Sequence, residues 1–138
     1  MVERYYVDSC IWIDYFENRS DKFRPLGDWA LDIIKKIIKE DSLFIISDHL
    51  INELENRYSS EELDKFFEII PEKLIIRINT NEEQAKEASK IKNKLNIPFS
   101  DVLHAILARD NQAILVSRDK HFYELQKQII IKKPEDLI

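Results

Sequence analysis

Short runs of apolar residues alternate along the chain with stretches whose apolar positions recur at helical spacing, and this alternation restricts the fold more than any other feature. The runs are Tyr5-Tyr6-Val7, Leu43-Phe44-Ile45-Ile46, Leu74-Ile75-Ile76-Arg77-Ile78, Ala113-Ile114-Leu115-Val116 and Ile129-Ile130-Ile131. A strand with one wet face alternates apolar and polar residues, whereas a strand apolar at successive positions is covered on both faces. Between the runs, helices are expected over 11–16, 29–38, 48–57, 60–70, 80–95, 101–110 and 119–126. The second carries Ala30, Ile34, Ile37 and Ile38 on one stripe. Thr80 with Glu83 three residues on reads as a capping box, and Ser100 reads as the cap of the helix after Pro98. Strands separated by helices pair in parallel through right-handed crossovers. The expected fold is therefore α/β: a three-layer α/β/α sandwich around a four- or five-stranded, mainly parallel sheet. The 138 residues suit one domain spanning 1–138.

The chain holds one glycine, Gly27, and this excludes several functions. A Walker loop or a dinucleotide fingerprint needs several glycines to bring backbone N–H groups onto phosphate. Phosphate chemistry here must rest on side chains or metal ions. Cys10 is the only cysteine, so no internal disulfide can form. No apolar run approaches the roughly 20 residues that span a bilayer, and no signal peptide is evident, so a cytoplasmic protein with no membrane attachment is expected. The net charge of −5 argues against a general grip on nucleic-acid backbone. A cluster of acids that binds divalent cations would nevertheless not present a negative site once loaded.

In parallel sheets, ligands bind beyond the carboxyl ends of the strands. Asp8 follows the first run, and Ser47 follows the second with Glu53 on the helix beyond. Ser117, Arg118 and Asp119 follow the fourth. Asp101 stands in the first turn of the helix that feeds it. Four acids from separate segments thus face one rim. Hard cations such as Mg²⁺ and Mn²⁺ take oxygen ligands, and without them such carboxylates repel and raise one another's pKa. Each acid also has a plain structural reading: Asp8 and Asp119 as helix caps, Asp101 as a partner of a helix dipole, Glu53 as a solvated side chain. Glu53 is placed least well, about 9 Å along its helix from the strand end.

These residues resemble those of the PIN-domain nucleases, in particular the toxins of the VapBC toxin–antitoxin type. The resemblance covers nearly the whole chain and rests on Tyr6-Val7-Asp8-Ser9 with Ile11 and Asp14-Tyr15, on Ser47 with Glu53-Leu54, on Phe99-Ser100-Asp101-Val102-Leu103-His104-Ala105, and on Val116-Ser117-Arg118-Asp119-Lys120-His121-Phe122. It implies a divalent-metal-dependent endoribonuclease, often dimeric and often neutralised by a small antitoxin. Carried over, Asp8, Glu53, Asp101 and Asp119 form the acidic site, and Ser117 orients a ligand or water. One departure stands out: many relatives have a further acid where His121 stands here. One consequence would be one metal firmly held and a second recruited with substrate; His121 is also a candidate to contact phosphate, and an exposed histidine at a helix start is at least as good a reading.

The expected mechanism has Asp8, Asp101 and Asp119 coordinating Mg²⁺ or Mn²⁺, with Glu53 holding metal or polarising the attacking water. The products are a 5′-phosphate and a 3′-hydroxyl. Arg118 and Lys120 are candidates to grip RNA phosphates, as are Lys90, Lys92 and Lys94 more distantly, though each also suits a solvated charge. His49 and His104 read as structural. Trp12, Tyr15 and Phe16 suit either core packing or a face for a partner or a homodimer. Two other functional classes stay open. A metal-dependent phosphatase would use Asp8 as nucleophile, but Cys10 stands where such enzymes want a second Asp. A non-catalytic PIN-like interaction module would have no need of all four acids.

Overall fold

The structure is a computed structural model that describes residues 2–125 and 129–138. Its strands are β1 (Arg4–Val7), β2 (Leu43–Ser47), β3 (Ile75–Ile78), β4 (Ile114–Val116) and β5 (Ile131–Lys132). They form one sheet in the order β3-β2-β1-β4-β5, with every pairing parallel. The helices are α1 (Ser9–Glu17), α2 (Leu26–Lys39), α3 (Asp48–Glu55), α4 (Ser60–Phe67), α5 (Glu82–Leu95), α6 (Phe99–Asp110) and α7 (Pro134–Leu137). Short 3₁₀ turns occupy Glu72–Leu74 and Lys120–Leu125. The expected three-layer α/β/α sandwich is present, with five strands.

The all-apolar strands are explained by the two cores. Tyr5, Val7, Phe44, Ile46 and Val116 face one of them, with Trp12 of α1, Ile33, Ile34 and Ile37 of α2, Leu50 and Leu54 of α3 and Leu63 of α4. Tyr6, Ile45 and Leu115 face the other, with Ala88 of α5 and Val102, Ile106 and Leu107 of α6. Trp12, Tyr15 and Phe16 all belong to or pack against the first core, where Phe16 stacks on Phe66 with ring centroids 4.2 Å apart. The edge strands are less covered, and Arg77 and Lys132 are exposed there.

Two expected caps shift by a residue or more because their hydroxyls have other partners. The capping box opening α5 is formed by Asn81 and Gln84 rather than Thr80 and Glu83. The Thr80 hydroxyl instead donates to Asp48 Oδ1 at 2.8 Å. Pro98, not Ser100, is the residue preceding α6, and the Ser100 hydroxyl donates to Glu53. The helix expected over 119–126 is the 3₁₀ turn Lys120–Leu125, and Gln126 lies outside the described residues. The last strand comes two residues later than expected, at Ile131–Lys132. Among the described residues no helix is long and apolar enough to cross a membrane.

Candidate functional site

The chain runs from β1 outward to β2 and β3 on one side, and to β4 and β5 on the other. The order therefore reverses between β1 and β4, and a crevice opens beyond their carboxyl ends. Val7 and Val116 are paired across that junction, so the next residues, Asp8 and Ser117, stand side by side. The Asp8 N–H donates to Val116 O at 3.0 Å, which continues the ladder into the site. Asp8 Oδ1 accepts from the Ser9 N–H at 2.8 Å and caps α1. Its Oδ2 accepts the Ser117 hydroxyl at 2.8 Å. The same Ser117 oxygen accepts the Asp119 N–H at 3.1 Å. One buried hydroxyl thus fixes the spacing of two acids.

Asp101, in the first turn of α6, completes this group through His121. The His121 Nδ1 lies 2.7 Å from Asp101 Oδ2 and 3.0 Å from Asp119 Oδ1, and the His121 N–H donates to that same Asp119 oxygen at 2.9 Å. Burial raises the Asp101 carboxyl to about 6. The hydrogen bond from His121 opposes this shift, and the charges of Asp119 and Asp8 add to it. The hydrogen bond to Asp101 and the charge of Asp119 raise the His121 imidazole in turn.

Glu53 reaches the site by a route that helix geometry on its own did not suggest. His49 and Glu53 are four residues apart on α3, and Ser100 and His104 are four apart on α6, so each pair shares a helix face. The two faces meet. His104 Nε2 bonds Glu53 Oε1, and the Ser100 hydroxyl donates to Glu53 Oε2 at 2.8 Å. Having given its hydrogen to Glu53, Ser100 Oγ can only accept from His49 Nε2, at 2.8 Å. His104 is 1% exposed, and its Nε2 also lies 3.8 Å from Asp8 Oδ1.

Burial works against charge on both Glu53 and His104, and the pairing overcomes it. Hydrogen bonds from His104 and Ser100, with the charge of His104, hold the Glu53 carboxyl at about 2. The bond to Glu53 and the charges of Asp8, Glu53 and Asp101 raise the His104 imidazole. A doubly protonated His104 donates from Nδ1 to the Tyr6 hydroxyl at 2.6 Å. The Tyr6 hydroxyl then donates to Ser47 Oγ at 2.7 Å, and Ser47 also accepts the Leu50 N–H at 3.0 Å and caps α3. Burial first, and the surrounding carboxylates after it, push the Tyr6 hydroxyl far above its ordinary value.

The four expected acids therefore share one rim, three of them linked through Ser117 and His121 and the fourth through His104. Among the described residues, two sets of possible ligand atoms each lie within 4.8 Å of one another: Asp101, Asp119 and His121, and His49, Glu53 and His104. Carboxylate oxygens at the first set suit a divalent cation, whose charge would offset the burial and neighbouring acids that disfavour the Asp101 carboxylate. Lys120 is exposed beside the rim. The Arg118 side chain turns elsewhere: its Nη1 donates to Glu135 at 2.8 Å, its Nε lies 3.7 Å from Asp14, and its guanidinium sits 5.3 Å from the Trp29 ring centroid. Sequence reasoning missed His104, His49, Tyr6 and Ser100 as parts of the site. The three-residue step from Asp101 to His104 along one helix was the available signal.

A parallel α/β domain with a carboxylate cluster at the switch point of its sheet is the class that fold and site define. The PIN domain family model matches residues 5–128, and the chain belongs to that family. No curated protein sequence matches the chain. Among solved structures, VapBC2 from Rickettsia felis, bound to a DNA fragment from their promoter, is similar with a TM-score of 0.69 at 16% identity, covering 94% of this chain and 98% of that one. FitAcB from Neisseria gonorrhoeae is similar with a TM-score of 0.60 at 11% identity, covering 94% and 97%. PAE2754 from Pyrobaculum aerophilum is similar with a TM-score of 0.58 at 18% identity, covering 99% and 92%.

Proposed function

We propose that this PIN domain is a divalent-metal-dependent endoribonuclease and the toxin of a toxin–antitoxin pair. The observation that carries the reading is the convergence of Asp8, Glu53, Asp101 and Asp119 at the sheet's switch point, with Ser117 fixing two of them and His104 bridging toward the others. Family membership and the likeness to VapBC2 and FitAcB support it. The same likeness motivates a small antitoxin as partner. RNA as substrate, a homodimer and a cytoplasmic setting belong to the proposal as well.

Asp8, Asp101 and Asp119 would hold Mg²⁺ or Mn²⁺. The cation supplies Lewis-acid polarisation of the phosphate and of a water. The chain's own part is to aim and hold. Ser117 keeps Asp8 and Asp119 at fixed spacing. His104 and Ser100 orient an ionised Glu53, which polarises the water that attacks phosphorus in line. Lys120 offers an exposed cation to the RNA backbone. Arg118, engaged with Glu135 and Asp14, is not assigned to substrate. The phosphatase alternative fits less well, because Cys10 stands two residues after Asp8, where such enzymes carry a second Asp.

Asp8→Asn and Asp101→Asn are expected to lower RNA cleavage in Mn²⁺ or Mg²⁺ by on the order of 100-fold or more, the scale of losing one preorganised electrostatic group. Cleavage at the wild-type rate by both variants would overturn the site. Products bearing 2′,3′-cyclic or 3′-phosphate ends would overturn the chemistry.

A further inference from the structure

The three histidines of the chain are used in different ways. Both His104 nitrogens are committed, to Glu53 and to Tyr6, inside a buried site. His49 Nε2 is committed to Ser100. His121 alone directs a ring nitrogen at Asp101 and Asp119, two carboxylates carried by different elements, and its side chain is 51% exposed. Its backbone N–H is tied to Asp119 Oδ1, so the ring is held on the same side as both acids.

We infer that His121 is a metal ligand through Nδ1, and that the Asp101–Asp119–His121 set selects a transition-metal ion of the Mn²⁺, Co²⁺ or Zn²⁺ kind over Mg²⁺. This deepens the nuclease reading and rests on it for the two carboxylates. Ligand chemistry gives the preference. Mg²⁺ is a hard ion that keeps waters and takes oxygen, and an imidazole adds little to its binding. Imidazole nitrogen strengthens binding of the later first-row ions, in the order Mn²⁺ below Co²⁺ below Ni²⁺. The spacing also fits. The three ligand atoms lie within 4.8 Å of one another, and Nδ1 is hydrogen-bonded toward both carboxylate oxygens at 2.7 and 3.0 Å, so an ion binding between them takes the place of the proton on Nδ1. A carboxylate at position 121 would instead give an all-oxygen set, in which the preference for the later ions over Mg²⁺ is weaker.

The test uses metal-stripped full-length protein, titrated calorimetrically with Co²⁺, Mn²⁺ and Mg²⁺. Four proteins are compared: wild type, His121→Phe, His121→Asp and Asp101→Asn. Circular dichroism confirms that each variant is folded. Wild type is expected to bind Co²⁺ at least tenfold more tightly than Mg²⁺. His121→Phe is expected to lose about tenfold or more in Co²⁺ affinity with little change for Mg²⁺, at least the scale on which an outer-shell partner of a ligand acts. His121→Asp is expected to narrow the gap between the two ions. Electron spin-echo spectra of the Mn²⁺ protein should show ¹⁴N modulation that His121→Phe removes. Unchanged Co²⁺ affinity and unchanged ¹⁴N modulation in His121→Phe, with binding lost in Asp101→Asn, would overturn this inference and leave the nuclease reading standing. Full binding of all three ions by Asp101→Asn would overturn both.

Discussion

Glu53 and His104 favour each other's charged form, and this gives the stability of the protein a shaped response to pH. The Glu53 carboxyl is held at about 2 from an ordinary 4.5, so its contribution is present above about 4.5 and is lost as pH falls toward 2. The His104 imidazole is raised from an ordinary 6.5, so its contribution is present below 6.5 and is lost as pH rises through the folded value. The two overlap between 4.5 and 6.5. Urea midpoints of wild type and Glu53→Gln across pH should differ most in that window, and a difference that does not vary with pH would contradict the pairing. Asp101 has the opposite tendency for an acid. Its folded carboxyl, at about 6 against an ordinary 3.8, favours the neutral form, so ionisation above about 6 works against folding. A bound cation relieves that penalty. Mn²⁺ should therefore raise the melting temperature more at about pH 8 than at about pH 5, and Asp101→Asn should remove most of that difference. At this scale the acids were legible and their supports were not. Asp8, Asp101 and Asp119 each flank a strand end or a helix start, which sequence marks. The partner of His104 lies 51 residues away on another helix, and no local pattern announces it.

Among the elements, α2 shows why the chain keeps its one glycine. The N-terminus of α2 crosses the end of α1, where Asn18 caps in the left-handed conformation with φ 47°. The Gly27 N–H donates to Arg19 O at 2.8 Å, and a Cβ at position 27 would stand 2.6 Å from Asn18 Cα. That neighbour is backbone and cannot step aside. Gly27→Ala should lower stability by about 1–3 kcal/mol, the cost of overpacking a close contact, measurable by urea denaturation with RNA cleavage followed alongside. The sequence excluded glycine-built phosphate loops by this count but gave no hint of where the one glycine was needed. Helix positions were legible from their period near 3.6, whereas cap identities were less so. Ser100 and Thr80 have the chemistry of caps, and only tertiary structure reveals that Glu53 and Asp48 recruit their hydroxyls.

Across the whole molecule, the parallel order β3-β2-β1-β4-β5 positions everything else, and the all-apolar strands made the three layers legible. The strand order was not legible, because every strand reads alike in composition. The Asp14–Arg118–Glu135 group is a second long-range tie, linking α1, the segment after β4, and α7. Asp14 is 4% exposed, burial raises its carboxyl, and the charges of Arg118 and Arg19 oppose that in part. Arg118→Leu should cost about 3 kcal/mol by leaving that carboxylate uncompensated. A raised KM for RNA without any loss in the urea midpoint would return Arg118 to the substrate. The Ser117–Asp8 hydrogen bond joins residues 109 apart in sequence. β4 must slot in beside β1 before that bond can exist. A ribosome delivers β1 first and β4 among the last elements. For most of its synthesis the nascent polypeptide therefore holds Asp8 without Asp101 or Asp119 beside it, and the acidic rim is assembled only once nearly the whole domain has emerged.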